Sequence, residues 1–277
     1  MMNGTPFVER RRRFIEAYGQ HRAEEGYEAL SDAELLALPY LQTGPLAAMW
    51  RIRARTFRVF EHEIVNPLAD ALKRRLTVLD AGAGNGWLSY RLCLSGHHCT
   101  VFDLRASGGD SLQTASRYAS HLPTLFRRSA GDFSNLPFAD QRFDIVAFNA
   151  SLHYALDLTT VLSEAQRVLH PNGRIAILDS PFYASRAHGE AMVEEKRRNA
   201  RLMFGDRSDV LLSLPFLEYL TEDRLRSESK AWGINWSRYR VRYPLRYELR
   251  WIVSALKRKR PPSRFDLWVG RVSSRHG

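Results

Sequence analysis

The chain has 277 residues, 44% of them hydrophobic, which is enough to bury a full core in one enlarged domain or in one domain with a cap. The N-terminus lacks the apolar core of a signal peptide, and no apolar stretch approaches the roughly 20 residues that span a bilayer. The sequence therefore predicts a soluble, cytoplasmic protein. With two cysteines, a disulfide framework and a cysteine-rich metal site are excluded, and no metal is predicted.

The net charge of +11 is concentrated near the C-terminal end of the chain. Residues 224–277 contain 15 Lys or Arg against 3 Asp or Glu. A solvated strand face, with Arg238, Arg240 and Arg242 at alternate positions, and cations at a helix end account for this excess without a partner. Attraction to an acidic partner is the alternative, and an anionic lipid surface, a phosphorylated or carboxylated substrate and RNA are the candidates.

The predicted elements begin with an N-terminal helical cap over residues 1–75. Periodicity, a Ser-x-x-Glu capping box and a Gly-Pro start predict three helices, at residues 8–25, from Ser31 onward and from Gly44 until Pro67. Pro67 is expected to interrupt the third helix. We expect these helices to lie over the mouth of a ligand site.

Residues 76–277 are predicted to form one α/β domain, in which strands alternate with helices. This alternation predicts right-handed crossovers and a mostly parallel sheet covered by helices on both faces. After a first strand that ends at Asp80, the predicted strands are 98–103, 125–130, 143–149, 174–179, 236–243 and 265–272. The predicted helices are 86–94, 111–121, 159–169, 186–204, one that Thr221 caps and Gly233 ends, and 245–257. Residues 181–235 form an insertion that we expect on the substrate side.

A glycine loop follows the first strand, with the pattern G-x-G-x-G at Gly82, Gly84 and Gly86. Glycine tolerates positive φ and lets a ligand approach where a Cβ would collide, so such a loop between a strand and a helix forms a ligand seat. A dinucleotide fingerprint would need its third glycine at position 87, where Trp87 stands. The spacing therefore disfavours an NAD-dependent oxidoreductase, which stays an alternative.

The signatures that follow the loop come in a specific order. Asp103 ends the second strand about 20 residues after Gly82, the spacing of the acid that hydrogen-bonds ribose hydroxyls in Rossmann-like sites. Gly131-Asp132-Phe133, the strand ending at Asn149 and the turn at residues 170–174 come next. In this order, residues 76–180 resemble the class I S-adenosylmethionine (SAM) dependent methyltransferases. The Leu152-His153 pair after the fourth strand resembles the Leu-His pair at this place in small-molecule methyltransferases of the ubiquinone/menaquinone-biosynthesis group.

The resemblance implies a Rossmann-like, seven-stranded, mostly parallel sheet with an antiparallel last strand and an insertion after strand 5. It implies SAM as cofactor, S-adenosylhomocysteine as product, and methyl transfer to a small, partly apolar acceptor. The cofactor contacts it implies are Asp80, Gly82, Ala83, Gly84 and Gly86 for the methionine part, Asp103 and Leu104 for the ribose, Asp132 and Phe133 for the adenine, and Asn149 at the reacting centre. Asp132 can instead cap the turn before Leu136, and Asn149 can instead satisfy loop backbone groups.

His153 is the candidate catalytic residue, because a neutral imidazole can accept a proton from a hydroxyl, a phenol or an acidic carbon. A structural or cofactor-adjacent role is the alternative. The candidates to line an apolar acceptor pocket are Tyr40, Trp50, Tyr154 and Tyr183. Aromatic residues at helical spacing also belong to cores, so this assignment has a structural competitor as well.

Two further functions stay open at this stage. An RNA methyltransferase would use the basic C-terminal region, with Tyr239 and Tyr243 stacking on bases. A SAM-binding protein without catalysis would bind the cofactor and form no product. Residues 149–152 lack the Asn/Asp-Pro-Pro-aromatic motif of enzymes that methylate exocyclic base nitrogens. The sequence leaves the acceptor, the methylated atom (O, N or C) and the oligomeric state undetermined.

Overall fold

A computed structural model describes residues 5–24, 26 and 30–272 of the chain. Its strands β1 to β9 are, in chain order, Thr77–Ala81, His98–Asp103, Arg127–Ala130, Phe143–Asn149, Leu169–Leu178, Phe182–Tyr183, Leu220–Thr221, Ile234–Tyr239 and Leu267–Val272. Its α-helices α1 to α12 are Thr5–Glu24, Asp32–Ala37, Ala47–Phe60, Asn66–Leu72, Trp87–Leu94, Leu112–Ala115, Leu158–Val168, Arg186–Phe204, Arg207–Leu211, Glu222–Ser229, Leu245–Glu248 and Arg250–Leu256.

Seven strands form the central sheet in the order β3-β2-β1-β4-β5-β9-β8. β9 runs antiparallel to both of its neighbours, and the other neighbouring pairs are parallel. The predicted seven-stranded, mostly parallel sheet with an antiparallel last strand is therefore confirmed. From β1 the sheet extends in one direction through β2 and β3, and in the other direction through β4 and β5. Open α/β sheets bind ligands at the carboxyl ends of the strands beside such a reversal of strand order. β6 and β7 form a separate two-stranded sheet that the sequence did not predict.

The central strands are largely buried because helices cover both faces of the sheet. All seven residues of β4 are buried. On one face, α3 packs Trp50, Phe57 and Phe60 into the core. On the other face, α7 packs an apolar stripe that includes Leu158 and Leu162. The core thus fixes the carboxyl ends of β1 and β4 relative to each other.

The N-terminal cap differs from its predicted form in two ways. Pro67 does not interrupt the helix, because a π-helical segment at Glu61–Val65 joins α3 to α4 and places Pro67 in the first turn of α4. The π-helical turn accommodates Pro67 within a continuous helix: the N–H of the preceding residue, Asn66, donates to the Glu61 carbonyl five residues back. α1 lies over the ligand cavity described below, and α3 lines the same cavity with Met49, Ile52 and Arg53 while it also packs into the main core. α4 contributes Leu68 to that core. Residue 25, the predicted end of the first helix, lies outside the described residues.

Other predicted elements also differ from those in the structure. The predicted helices 111–121 and 245–257 each divide, the first into α6 and a 3-10 turn and the second into α11 and α12. β5 begins at Leu169 and contains the predicted turn as an irregularity, with Asn172 at a positive φ of 68°. β8 ends at Tyr239, four residues before its predicted end. In the part of the chain that the structure describes, no helix is long and apolar enough to cross a bilayer.

Candidate functional site

A cavity of about 440 Å³ opens beneath α1, at the carboxyl ends of β1, β2, β4 and β5. Its wall is mostly apolar, and its volume lies within the range of small-molecule sites. Of the residues predicted from sequence to bind a ligand, these line it: Gly82, Ala83, Gly84, Asp103, Leu104, Asp132, Phe133, Asn149, His153 and Tyr154. Their common position follows from the parallel sheet, which brings the ends of successive strands to one edge.

The glycine loop makes a close approach to the segment that follows β4. Gly82 has a φ of 78°, and a Cβ added there would lie 2.3 Å from the Cβ of Ser151. Gly84, at a φ of 53°, would place a Cβ 3.0 Å from the Asp110 carboxylate. Gly86 does not line the cavity, because an added Cβ there would meet Ala115 at 3.0 Å. Gly86 thus packs closely against Ala115 and Phe126 outside the cavity wall, and its expected cofactor contact stays a prediction.

Asp103 presents a carboxylate to the cavity from the end of β2. Its Oδ2 accepts a hydrogen bond from the backbone N–H of Gly84 at 2.8 Å, and its Oδ1 accepts one from the N–H of Arg105 at 2.8 Å. Burial raises the pKa of Asp103 to about 6 against these stabilising hydrogen bonds. Each carboxylate oxygen has a second lone pair, so the oriented group can still accept hydrogen bonds from two vicinal hydroxyls.

Asp80 lies beneath the loop and is not part of the cavity wall, which corrects the expected direct contact. Its side chain is fully buried, and its Oδ2 accepts a hydrogen bond from the Ser89 hydroxyl at 3.0 Å. Oδ1 has no hydrogen-bond partner among the described residues. Burial is the largest cause that raises the pKa of Asp80 to about 7, and the Asp103 charge adds to it.

Asn149 ends β4 with a polar atom that lacks a partner. The side chain is buried, and its Oδ1 is unpaired within the described structure. The chain then turns sharply at Ala150, which has a φ of 54°, and Ser151 donates its hydroxyl hydrogen to the Ala81 carbonyl at 2.6 Å. Asn149 also contributes to the cavity wall.

The two oxygens of the Asp132 carboxylate have different partners, Ser134 and Arg11. Its Oδ1 accepts hydrogen bonds at 2.7 Å from both the backbone N–H and the hydroxyl of Ser134, which is the turn cap weighed above. Its Oδ2 forms an ion pair with Arg11 of α1 at 2.6 Å. Phe133 beside it lines the cavity and packs edge-on against Phe148 at 5.8 Å between ring centroids.

Two further contacts hold α1 over the cavity, and sequence reasoning missed both. Arg22 pairs with Asp110 at 2.7 Å, and each side chain is 13% exposed. The Tyr18 hydroxyl donates to the Tyr154 hydroxyl at 3.2 Å. Both contacts join residues far apart in sequence, so no local pattern signals them. Together with the Arg11 ion pair, they make α1 the roof of the site.

His153 lies at the cavity wall with its imidazole neutral. Burial lowers its pKa to about 3, and the positive charges of Lys196 and Arg53 act in the same direction. Its Nδ1 lies 3.5 Å from the Ser180 hydroxyl. An imidazole with so low a pKa holds a proton poorly near neutral pH, which argues against the general-base role expected from the sequence.

Asp179 was not identified as a site residue from the sequence. It follows β5 directly, lines the cavity and is 7% exposed. Its Oδ1 accepts a hydrogen bond from the Thr56 hydroxyl at 2.8 Å, while no described residue pairs with its Oδ2. Burial is the largest cause that raises its pKa, opposed by the positive charge of Arg53. Asp179 has a positive φ of 49°, which is uncommon for a residue other than glycine. This backbone conformation is seen in the structure and was not predicted from the sequence.

Three of the four aromatic residues predicted to line the acceptor pocket lie elsewhere, which corrects that prediction. Trp50 is completely buried, with its ring edge-on against Trp87. Tyr40 lies under the guanidinium groups of two arginines, and Tyr183 packs against Tyr219 in the insertion. Helical spacing placed these residues on an inward face without showing what that face would contact.

Comparison with known proteins gives a consistent family match. A family model described as "Methyltransferase domain" matches residues 79–177. A malonyl-[acyl-carrier protein] O-methyltransferase of Erwinia billingiae is 36% identical over 101 residues, which cover 35% of this chain and 36% of the relative. The ubiquinone/menaquinone biosynthesis C-methyltransferase UbiE of Roseobacter denitrificans is 32% identical over 127 residues, or 44% of this chain and 48% of the relative. The chain thus spans less than half the length of each of these relatives.

Solved structures show the same fold at low sequence identity. The YcgJ protein of Bacillus subtilis superposes with a TM-score of 0.52 at 18% identity, over 77% of this chain and all of that one. The [4+2]-cyclase SpnF superposes with a TM-score of 0.51 at 17% identity, over 76% of this chain and 80% of that one. Since one of these proteins is a cyclase, the likeness establishes the fold and not the reaction.

Proposed function

We propose that this chain, which belongs to the class I SAM-dependent methyltransferases, transfers a methyl group from SAM to a small, partly apolar acceptor in the cavity beneath α1. One observation carries the proposal. The glycine loop, the oriented Asp103 carboxylate and Asn149, whose buried Oδ1 has no partner among the described residues, all contribute to the wall of a single, mostly apolar cavity.

The residues of the cavity fit the adenosyl cofactor. Gly82 lets the loop pack against Ser151, where a Cβ would collide, and Asp103 offers two acceptors that would meet the ribose hydroxyls. The Phe133 ring lines the cavity and would provide an apolar wall for the adenine. Asn149 supplies a buried acceptor near the reacting centre, where it can meet the positive end of the cofactor. SAM brings an electrophilic methyl group on its sulfonium, so the protein mainly has to bind, orient and exclude water.

A dinucleotide fits the same loop less well. Rossmann-like dinucleotide sites hold a pyrophosphate on the free N–H groups at the start of the helix after the loop. Here the Asn85 side chain already accepts the N–H of Trp87 at 3.2 Å, and the Trp87 ring packs against α3. An NAD-dependent activity is therefore disfavoured by a contact as well as by spacing.

We propose Asp179, in place of His153, as the candidate general base. Asp179 follows β5, the strand that pairs with the end of β4, where Leu178 lies beside Asn149. Its Oδ2 lacks a partner in the cavity, and its raised pKa makes it a better proton acceptor than an ordinary aspartate. In this proposal, a hydroxyl or N–H group of the acceptor would donate a hydrogen bond to Oδ2 and pass its proton there as its O–CH3 or N–CH3 bond forms. The S–CH3 bond would break at the same time and leave its electron pair on sulfur, which gives S-adenosylhomocysteine, and Asp179 would later release the proton to solvent.

The proposed activity is tested with SAM labelled in its methyl group. The protein is incubated with fractionated cell extracts, and mass spectrometry follows the label into small molecules. We expect a labelled product that disappears with Asp103→Asn and that forms much more slowly with Asp179→Asn than with His153→Gln. A label that appears in RNA would contradict the small-molecule assignment. No labelled product from any extract, despite SAM binding, would favour a protein without transferase activity.

A further inference from the structure

The segment between β8 and β9 carries an exposed apolar surface without a partner. We call it the α12 patch and define it by the exposed apolar residues of α11, α12 and their junction: Leu245, Leu249, Trp251, Ile252, Val253 and Leu256. Leu256 is 80% exposed and Trp251 57%. A cluster of large apolar side chains on the surface marks an interaction site, because leaving it in water is unfavourable.

Cations flank the α12 patch along the chain, and six of them form no ion pair with any described residue. The six are Arg240, Arg242, Arg246, Lys257, Arg258 and Lys259. Glu248 is the single acidic residue of the sequence between positions 240 and 264, and it is already 3.7 Å from Arg264. The patch therefore combines an apolar surface, a tryptophan and an uncompensated positive field.

We propose that the α12 patch docks on an anionic phospholipid surface. An interfacial helix buries apolar side chains at the boundary between headgroups and acyl chains, while its Lys and Arg side chains contact anionic headgroups. A tryptophan is favoured at this depth because its ring is apolar and its N–H is polar. The helix lies on the surface and does not cross it, which agrees with the seven-residue length of α12.

Charge argues against two other occupants of the patch. A second copy of the chain, related by a twofold axis, would bring the six cations of each copy close to those of the other. Single-stranded RNA would match the charge, but base stacking uses aromatic rings, and five of the six patch residues are aliphatic. An anionic bilayer satisfies the charge and the apolar surface together.

The patch lies beside the candidate site. Tyr247 of α11 packs against Phe265 at 6.4 Å between ring centroids, and Phe265 lines the cavity. Docking on a bilayer would thus place the cavity next to a source of apolar molecules. The lipid contact itself does not depend on the proposed function, because it rests on the surface and not on the catalytic residues.

Vesicle sedimentation with the full chain tests the inference. We use vesicles of phosphatidylcholine alone and vesicles with 30% phosphatidylglycerol, at low and high salt. We expect the protein to sediment with the anionic vesicles alone and to be released by salt. The Lys257→Glu/Lys259→Glu double variant should bind about 100-fold more weakly, because each cation near an anionic surface contributes about 1 kcal/mol and each reversal also adds repulsion.

Apolar insertion is tested separately from charge. Leu256→Asp should lose most of the binding, whereas the matched controls Leu94→Asp and Lys73→Glu, at exposed positions outside the patch, should retain it. Circular dichroism verifies that each variant is folded. Equal loss in patch and control variants, or unchanged binding of Leu256→Asp, would overturn the proposal. So would a lipid-free dimer that Leu256→Asp dissociates, since a second copy would then cover the patch.

Discussion

Replacing Asp80 by asparagine should stabilise the protein in a pH-dependent way. The side chain is fully buried, and burial raises its pKa to about 7 from the ordinary value of 3.8 for an aspartate. Between these values the folded chain holds a proton that the unfolded chain releases, so the unfolding free energy falls as the pH rises and levels off above 7. Three pKa units correspond to about 4 kcal/mol, at 1.36 kcal/mol per unit.

Asparagine does not ionise, so the unfolding free energy of the Asp80→Asn variant should not fall in this way as the pH rises. The stability difference between Asp80→Asn and the parent should be small at pH 4 and should grow to as much as about 4 kcal/mol at pH 8. Urea unfolding followed by circular dichroism at each pH measures it, with the exposed Asp70→Asn as a control that shows no such trend. A difference that is independent of pH, or that grows as the pH falls, would refute the reasoning.

The same variant separates a structural from a ligand-binding role of Asp80. Because Asp80 lies beneath the loop and bonds to Ser89, the variant should bind S-adenosylhomocysteine within about threefold of the parent. A loss of about 100-fold or more with the fold intact would return Asp80 to the cofactor contacts that its motif suggests.

Three other changes have specific outcomes. Gly82→Ala should lower the unfolding free energy by about 2 kcal/mol or more, since its Cβ would collide with Ser151 at a positive φ, and an unchanged unfolding midpoint would show that the loop has room. Arg22→Ala should speed the release of S-adenosylhomocysteine in stopped-flow measurements, because α1 loses its ion pair to Asp110; an unaltered off-rate would argue that α1 is not a roof. The NMR signals of the His153 imidazole, assigned by their loss in His153→Gln, should not titrate between pH 5 and 8, as its pKa is lowered to about 3. Titration near pH 6.5 would restore it as a candidate base.

Much of the sheet was predictable because its signals are local. Apolar runs that end in Asp80, Asp103 and Asn149 identify buried parallel strands, and the order of the runs identifies their connections. The glycine loop was predictable for the same reason, since glycine at alternate positions indicates a backbone that needs positive φ angles. Where signals overlap, boundaries moved, as at Pro67, whose effect depends on the π-helical segment before it.

The parts of the site that the sequence did not predict depend on contacts between distant segments. No sequence pattern connects Arg22 with Asp110. The sequence therefore predicted the helix that became α1 as part of an N-terminal cap, but not the contacts that hold it over the cavity. Asp179 ends a predicted strand, as many other residues do, and nothing in its sequence context identifies it as a site residue. The structure shows that Thr56 of α3 donates to its Oδ1 and that its Oδ2 has no partner among the described residues. The aromatic predictions failed at Trp50 because periodicity identifies a buried face without identifying its neighbour.

The central claim is that the cavity seats an adenosyl ligand through Asp103 and not a dinucleotide. Titration calorimetry with S-adenosylhomocysteine and with NAD at the same pH measures this directly. We expect stoichiometric binding of S-adenosylhomocysteine, no measurable heat with NAD, and a loss of about 10- to 100-fold in affinity with Asp103→Asn, because charge-assisted hydrogen bonds to the ribose are weakened. Tighter binding of NAD, or an Asp103→Asn variant that binds S-adenosylhomocysteine as well as the parent does, would contradict the account.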